Sequence, residues 1–399
     1  MLNQTVQRIL TINTGSSSLK VALYEMGRGE TRILSGEVER IGAPEGRLRL
    51  TDAHGVILMD QRSDLADHGA ALEAVLAWLR QHRPELAALD AVGHRVVHGG
   101  IHYQEPQRVT PEFIAILQRM APIAPDHLPQ SIRAMQVAVK AYPNLPQVAC
   151  SDTAFHRHMP RIAQLYPLPR HFADEGLIRY GFHGLSYEYI MQELRALAPK
   201  EAEGRVLIAH LGNGASMAAV RGGIGIDTTM GFTPAGGLMM GTRAGDLDPG
   251  VLLYLLAERE MTPAALNDLV NRQAGLLGVS GISADMRDLL KRESTDGHAA
   301  EAVGLFCYQA KKYLGALATV LGGLDTLVFT GGIGEHAASV RLRICEGLEF
   351  LGIRIDPLRN EAHAPVISPE GSSATVRVMR TDEDLMIARH TRELMEKNR

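Results

Sequence analysis

The stretch ILTINTGSSSLKVALY, residues 9–24, decides how this chain is read. Ile9-Leu10-Thr11-Ile12 reads as a short apolar strand and Leu19 to Tyr24 as its return. Asn13 to Ser18 between them is a turn rich in hydroxyls and backbone donors. The same pattern comes back half a chain later in VLIAHLGNGASMAAV, residues 206–220. There Val206 to Ala209 and Met217 to Val220 are the strands, and His210 to Ser216 is the Gly-rich turn. Placing Gly15 over Gly214 brings Ile9 over Ile208, Ser17 over Ser216 and Val21 over Val220. Two such hairpins suit a duplicated, two-lobed protein with its cleft between the lobes.

Outward from the hairpins, helical and strand-like segments alternate. Helical spacing is read at Ala70 to Leu79, Ser131 to Ala141, Gly250 to Glu260, Pro263 to Arg272, Ala300 to Leu321 and Ser339 to Leu348, and again from Asp382 onward. Strands are read at Ala91 to Val97, Gln147 to Cys150, Thr326 to Thr330 and Ala374 to Met379. Alternation of this kind predicts α/β layers around a mainly parallel or mixed sheet. The expected division is residues 1–150 with 381–399 as one lobe, and residues 151–380 as a nucleotide-binding lobe.

The 399 residues include 41 Lys and Arg against 45 Asp and Glu, a formal charge of −4. That balance gives no electrostatic footprint for nucleic acid or an anionic membrane as partner. Three widely spaced cysteines, Cys150, Cys307 and Cys345, make no disulfide framework and predict a reducing compartment. The apolar region Tyr313 to Gly334 is broken by Gly322, Gly323 and Asp325, so it reads as helix, turn and buried strand rather than a membrane span. A secretory signal is not read at the N-terminus, and the expected location is the cytoplasm.

Chemistry concentrates in a few places. Three Gly-rich segments follow strands: Gly212-Asn213-Gly214, Gly222-Gly223-Ile224-Gly225 and Gly331-Gly332-Ile333-Gly334. They read either as tight turns or as cradles whose backbone N–H groups meet phosphate. None matches GxxxxGK[ST] or GxGxxG, which excludes a P-loop and weakens a dinucleotide fold. Arg95 and Arg243 sit among small and apolar residues, where a lone guanidinium is costly unless it meets an anion. The alternative is an internal ion pair, Arg243 with Asp246 for instance. Asp152 after a strand and Glu383 at a helix start are magnesium candidates; a turn role for Asp152 and a Thr381/Asp384 capping box at the helix compete with that. His183, flanked by glycines in RYGFHG, could donate to a phosphoryl oxygen or be structural. His156 and His158 beside Arg157 read as a solvated turn, and no HExxH or Cys/His spacing supports zinc.

Taken together, these residues are recognisable. NTGSSSLK (13–20), GHRVVHGG (93–100), DTAFH (152–156), RYGFHG (179–184), HLGNGAS (210–216), MMGTRAGD (239–246) and GGIGE (331–335) resemble the acetate kinases, in family order from residue 8 to about 390. The resemblance implies a duplicated actin-like (ribonuclease H-like) ATPase fold with an active cleft between the lobes. It implies reversible transfer of the γ-phosphoryl of ATP to acetate, giving acetyl phosphate and ADP, with magnesium (manganese as the alternative ion) and a homodimer. Carried over by motif, Arg95 and Arg243 would hold the carboxylate and neutralise the transferring phosphoryl, and His183 would stabilise its oxygens. Asn13 and Glu383 would organise the metal, Lys20 would meet ATP phosphate, and Asp152 would be the acidic catalytic residue. The nucleotide would lie along His210, Leu211, Gly212, Asn213 and Gly214, along Asp285, Met286 and Arg287, and along Gly331, Gly332, Ile333, Gly334 and Glu335.

The departures bear on the identity of the acceptor. Where the family reads APLHNP this chain has Ala124-Pro125-Asp126-His127-Leu128-Pro129, so Asp126 replaces an apolar residue of the acyl pocket. Val97, Phe182 and Pro234 stay at the other pocket positions. The usual TSH after RYGFHG is Leu185-Ser186-Tyr187, and the usual LEGL is Ala235-Gly236-Gly237-Leu238. Propionate or another small carboxylate, with or without a polar group, is therefore the alternative acceptor. The non-enzyme alternative is an actin-like nucleotide sensor, for which two cationic side chains around the γ-phosphate would be unnecessary.

Overall fold

A computed structural model describes residues 6–125 and 127–397. Asp126, the expected acyl-pocket departure, lies outside the described residues. The chain divides into two compact units, Met1–Ala154 with Asp382–Arg399, and Phe155–Thr381.

The first unit is built on a mixed sheet of β1 (Gln7–Thr14), β2 (Leu19–Met26), β3 (Glu30–Glu39), β4 (Gly46–Asp52), β5 (Ile57–Ser63), β6 (Ala91–Val96), β7 (Gln107–Arg108) and β8 (Gln147–Ser151), ordered β5-β4-β3-β2-β1-β6-β8-β7. β1 pairs antiparallel with β2 and parallel with β6, which pairs parallel with β8. Both faces of β1 are covered, which is why it reads as a nearly continuous apolar run. Leu10, Ile12, Val21 and Leu23 meet α1 (His68–His82) and α2 (Leu128–Ala141) through Leu72, Val75, Leu76, Leu79, Ala134 and Ala138. The alternate residues Ile9, Ala22, Tyr24 and Met26 meet Ala388 of the C-terminal helix, Glu383–Glu396.

The second unit holds β9 (Arg205–Leu211), β10 (Ala215–Arg221), β11 (Ile224–Thr228), β12 (Thr326–Thr330) and β13 (Thr375–Val378), ordered β11-β10-β9-β12-β13. Here too the first three strands run antiparallel, and β12 and β13 join parallel. One face carries α3 (Gly184–Leu197), packed through Tyr187, Ile190, Met191 and Leu194 onto Val206, Ile208, Ala218 and Val220. The long helix α6 (Gly297–Leu321) supplies a second buried stripe that includes Val303, Phe306, Ala310, Leu314 and Leu317. Between them come α4 (Pro249–Ala257) and α5 (Met286–Arg292), and β12 leads into α7 (Gly331–His336).

Strand order and direction β3-β2-β1-β6-β8 thus recur as β11-β10-β9-β12-β13, an α/β unit used twice. The residue matching read from sequence is displaced, however. Thr14↔Leu19 closes the first turn and Leu211↔Ala215 the second, so Thr14 corresponds to Leu211 and not to Asn213. The second turn is one residue shorter, and an ungapped superposition on its glycine slides along the strands.

Three local readings are corrected, and at Gly222-Gly223 the tight-turn reading holds. The capping box at the last helix is absent; Asp382 is the N-cap, its carboxylate accepting the Leu385 N–H at 2.9 Å. Gly331 to Glu335 is the first turn of α7 rather than a free turn. Gly222 and Gly223, at φ +56° and +80°, form the two-residue connection of the β10–β11 hairpin, where left-handed backbone is required. His156 is 2% exposed and its Nε2 donates to the Phe182 carbonyl at 3.1 Å, so it is core and not a solvated turn.

Candidate functional site

In each unit the predicted residues gather at the carboxyl ends of parallel strands, the usual place for ligand-binding groups in an α/β sheet. Asn13 is the penultimate residue of β1, Arg95 that of β6, and Asp152 follows β8 directly. Arg95 Nη2 lies 2.5 Å from Asp152 Oδ2, its Nε is 3.0 Å from Oδ1, and its Nη1 donates to Asn13 Oδ1 at 2.9 Å. The side chains of the ion pair are 15% and 1% exposed. Burial works against the Arg95 charge, but Asp152 and Glu383 outweigh it and raise the guanidinium pKa. Asn13 Nδ2 donates onward to Glu383 Oε2 at 3.3 Å, so one amide links the arginine to the C-terminal helix. Lys20 sits opposite Asn13 across the hairpin, half exposed, with its ammonium 3.8 Å from Glu37. Val97 is buried on this unit.

Asp384, next to Glu383, was read from sequence only as a cap. Its Oδ1 is buried without a hydrogen-bond partner, and burial, then Asp382 and Glu383, push its pKa up to about 7. This is an excess of negative charge at the strand ends, the electrostatic setting that a cation relieves.

The second unit brings together His183, His210, Arg243 and the Gly-rich loop. His183 precedes α3 with φ +59° and ψ 25°, a left-handed conformation uncommon for a residue with a Cβ. Strain of this kind persists where the surroundings over-determine it. The His183 Nδ1 is bonded to Ser216 Oγ at 2.8 Å, and the ring stacks on His210 with centroids 4.2 Å apart. His210 Nδ1 is in turn bonded to Ser186 Oγ at 2.8 Å, and Thr381 donates to Ser186 at 2.9 Å. A Cβ placed on Gly214 would lie 3.3 Å from His183 Nε2 and 3.5 Å from Arg243 Nη2, so both donors converge on this loop. Arg243 Nη1 donates to the Pro234 carbonyl at 2.7 Å. Asp246, weighed from sequence as its partner, accepts the Gly237 N–H at 2.7 Å and the Tyr313 hydroxyl. Phe182 is buried and Pro234 half-buried on the same unit.

The remaining nucleotide candidates flank that loop. Thr330 at the end of β12 pairs with His210, so Gly331 emerges beside the loop. Gly331 has φ +75°, and a Cβ there would meet the Leu211 carbonyl at 2.8 Å, which demands glycine. Gly332, Ile333 and Gly334 continue in α7, while Glu335 Oε1 accepts the N–H groups of Gly331 at 3.0 Å and Thr381 at 3.3 Å. Asp285 caps α5, which begins at Met286, by accepting the Arg287 N–H at 2.8 Å. The Arg287 side chain is 82% exposed and also pairs with Asp285.

Sequence reasoning missed the residues that hold the site from behind. Arg341 is wholly buried and donates to the carbonyls of Gly334 and Glu335 and to Asn360 Oδ1, fixing the end of α7. Arg179 donates to the carbonyls of Thr228, Thr229 and Met230. A cation between apolar neighbours, as in Val340-Arg341-Leu342, was the available signal. Ser216 and Tyr187 lay within motifs named from sequence, but nothing local gave them a role.

Among the described residues no three His, Cys, Asp or Glu side chains cluster to hold a metal, and no helix is long and apolar enough to cross a membrane. The model of the acetokinase family matches residues 8–389. The chain is 46% identical to an acetate kinase of Methylocella silvestris over 97% of its own length and 98% of the relative's. The crystal structure of Porphyromonas gingivalis acetate kinase superposes with a TM-score of 0.88 at 38% identity, covering 98% of this chain and 100% of that one. A propionate kinase from Francisella tularensis gives 0.90 at 32% identity, covering 97% and 99%.

Proposed function

The chain belongs to the acetokinase family, and we propose that it transfers the γ-phosphoryl of ATP reversibly to acetate, yielding acetyl phosphate and ADP. The observation that carries this reading is the convergence of the Arg243 guanidinium and the His183 imidazole on Gly214 of the Gly-rich loop. A carboxylate is ionised at neutral pH and is already a nucleophile, so the reaction needs no strong base. Its obstacle is an anion approaching a polyanion, which calls for fixed positive charge, donors and exclusion of water.

Each unit brings its own groups to that task. Arg95, held in one orientation by Asp152, and Arg243 neutralise the carboxylate and the phosphoryl oxygens, while His183 donates to the latter. Asp152 acts through Arg95 rather than as a base. Loop 210–214, residues 285–287 and the start of α7 at 331–335 take the nucleotide, and Lys20 meets a phosphate. Asn13 and Glu383 suit magnesium, or manganese as the alternative ion: both are oxygen donors, and the unpartnered Asp384 oxygen adds charge beside them. Few protein ligands are needed, because magnesium is usually shared with substrate phosphates. Bound there, the ion would neutralise phosphate charge.

Val97, Phe182, Pro234 and Asp126 are proposed to set the acceptor. A hydroxamate assay with MgATP across formate, acetate, propionate, butyrate and glycolate tests the reading. The largest kcat/KM on acetate is expected; a larger value on propionate reassigns the acceptor, and activity on none overturns the kinase reading. Cytoplasmic location suits the three buried thiols Cys150, Cys307 and Cys345. A homodimer suits α4, an apolar helix none of whose residues is buried, with Val251, Leu253 and Tyr254 45%, 65% and 51% exposed. Leu253→Asp is expected to give monomers in sedimentation.

A further inference from the structure

Tyr187 stands where the resembled family has histidine, and nothing in the proposed reaction has used it. It is fully buried on α3, among Ile190, Met191, Val206 and Ile208, with Phe155 and His156 against its ring. A phenol in such a place is costly unless its hydroxyl is bonded. The hydroxyl reaches the Ser216 Oγ, and the same Oγ lies 2.8 Å from His183 Nδ1. Three groups therefore form one chain: phenol, hydroxyl, imidazole.

The direction of that chain follows from acidity. A phenol is a far stronger acid than an alkyl hydroxyl and a weaker acceptor, so Tyr187 donates to Ser216. With its oxygen accepting from Tyr187, Ser216 turns its own proton to His183 Nδ1. An imidazole that accepts at Nδ1 carries its proton on Nε2 when neutral. Nε2 is the atom that faces Gly214, 3.3 Å from where a Cβ would stand. We propose that Tyr187 and Ser216 are positioning residues that fix His183 as the Nε2–H tautomer, so that a neutral histidine presents a donor to the transferring phosphoryl. The pair also explains how a left-handed His183 backbone is held: the ring is pinned at Nδ1 and by stacking on His210.

The stacked partner favours the same arrangement. Two imidazoles with centroids 4.2 Å apart repel strongly when both are cationic, whereas a donor set by tautomer places no charge in the stack. His210 has its own serine, Ser186, at Nδ1.

This inference rests on the phosphoryl-transfer reading, and the test separates the two. Nitrogen-15 NMR of histidine-labelled full-length protein, with the His183 signals assigned by loss in His183→Gln, reads the tautomer without any substrate. The wild type is expected to show a protonated Nε2 and an acceptor Nδ1. Tyr187→Phe and Ser216→Ala are expected to show averaged tautomers, while Ser216→Thr keeps the wild-type pattern. In parallel, kcat is expected to fall about tenfold to a hundredfold in the first two variants, the share of one misplaced donor. KM for ATP should stay within about twofold, the pH–rate profile should shift, and Ser216→Thr should restore most of the rate. Wild-type tautomer and pH profile in Tyr187→Phe, whatever its melting temperature, would overturn the proposal. A locked tautomer in a wild-type chain without kinase activity would support the hydrogen-bond chain and sink the functional reading instead.

Discussion

Removing either member of the Arg95–Asp152 pair should cost more than removing both. The two side chains are 15% and 1% exposed and share three contacts between 2.5 and 3.1 Å. Two unit charges about 4 Å apart attract by about 4 kcal/mol at an effective dielectric of 20. Deleting one leaves the other buried without its main counter-charge, a loss of about 3–5 kcal/mol. For a unit of this size that lowers Tm by roughly 10 °C. Arg95→Met and Asp152→Leu should each show this loss, whereas the double variant, which removes both charges of the pair, should lie closer to wild type than either single variant. Chemical denaturation of the four proteins gives the coupling energy directly. Single losses that add to within about 0.5 kcal/mol would refute the pairing argument. The kinetic side uses Asp152→Asn, which keeps the shape and one acceptor oxygen. If the acid works through Arg95, this change lowers kcat in the wild-type background and does little more in Arg95→Met. An undiminished further loss would assign Asp152 a role of its own in proton transfer.

Arg243→Ala is expected to lower kcat about 10²- to 10⁴-fold, the scale of a cation lost at a phosphoryl-transfer transition state. Arg243→Lys should recover only part of it, since a point charge lacks the guanidinium fork, and wild-type turnover in folded Arg243→Ala would take this residue off the list. Glu383 and Asp382 should separate cleanly. Glu383→Ala raises the magnesium requirement with a stability change of only about 0.3–1 kcal/mol; Asp382→Ala, which removes the N-cap of the last helix, costs about 1 kcal/mol with the magnesium dependence kept. Acid should destabilise both units through His94 and His156, whose burial holds their pKa values down at about 4. The unfolded chain takes up these protons near pH 6.5 and the folded one only near 4, so stability falls as pH drops across that window, by up to about 3 kcal/mol per histidine. His94→Asn should flatten part of the acid limb of a Tm-against-pH series.

Most of the architecture was legible because it is written in short-range patterns. Apolar runs bounded by hydroxyl- and Gly-rich turns located β1, β2, β9 and β10, and the long amphipathic stripe located α6. What escaped depends on partners far away in the chain. Asn13 and Glu383 are 370 residues apart, and their hydrogen bond leaves no local trace. His156 is polar in sequence and flanked by Arg157, yet the fold wraps it with Phe155, Tyr187 and the Phe182 carbonyl. The last helix was given the wrong cap because Thr381, a good capping residue by type, is spent on Ser186 and Glu335. Four positions with side-chain oxygens or amides can compete for one helix start, and tertiary bonds decide between them.

The duplicated sheet explains why the two units carry opposite chemistry at the same place. In the first, the ends of β1, β6 and β8 present Asn13, Arg95 and Asp152, with Glu383 and the unpartnered Asp384 beside them. Oxygen ligands dominate there, and the one guanidinium is held by an acid. In the second, the ends of β9 and β12 present His210 and Gly331, with His183, Arg243 and the Gly-rich loop 212–214 around them. Donors dominate there. In the proposed reaction the metal calls for carboxylate and amide oxygens and the polyphosphate for donors. Repeating the sheet lets one copy keep the carboxylates and the other keep the N–H groups. The two hairpins themselves show what the duplication kept: β1 and β9 share a direction, neighbours and a buried pattern, while the turns that follow differ by one residue in length and in the side chains they carry.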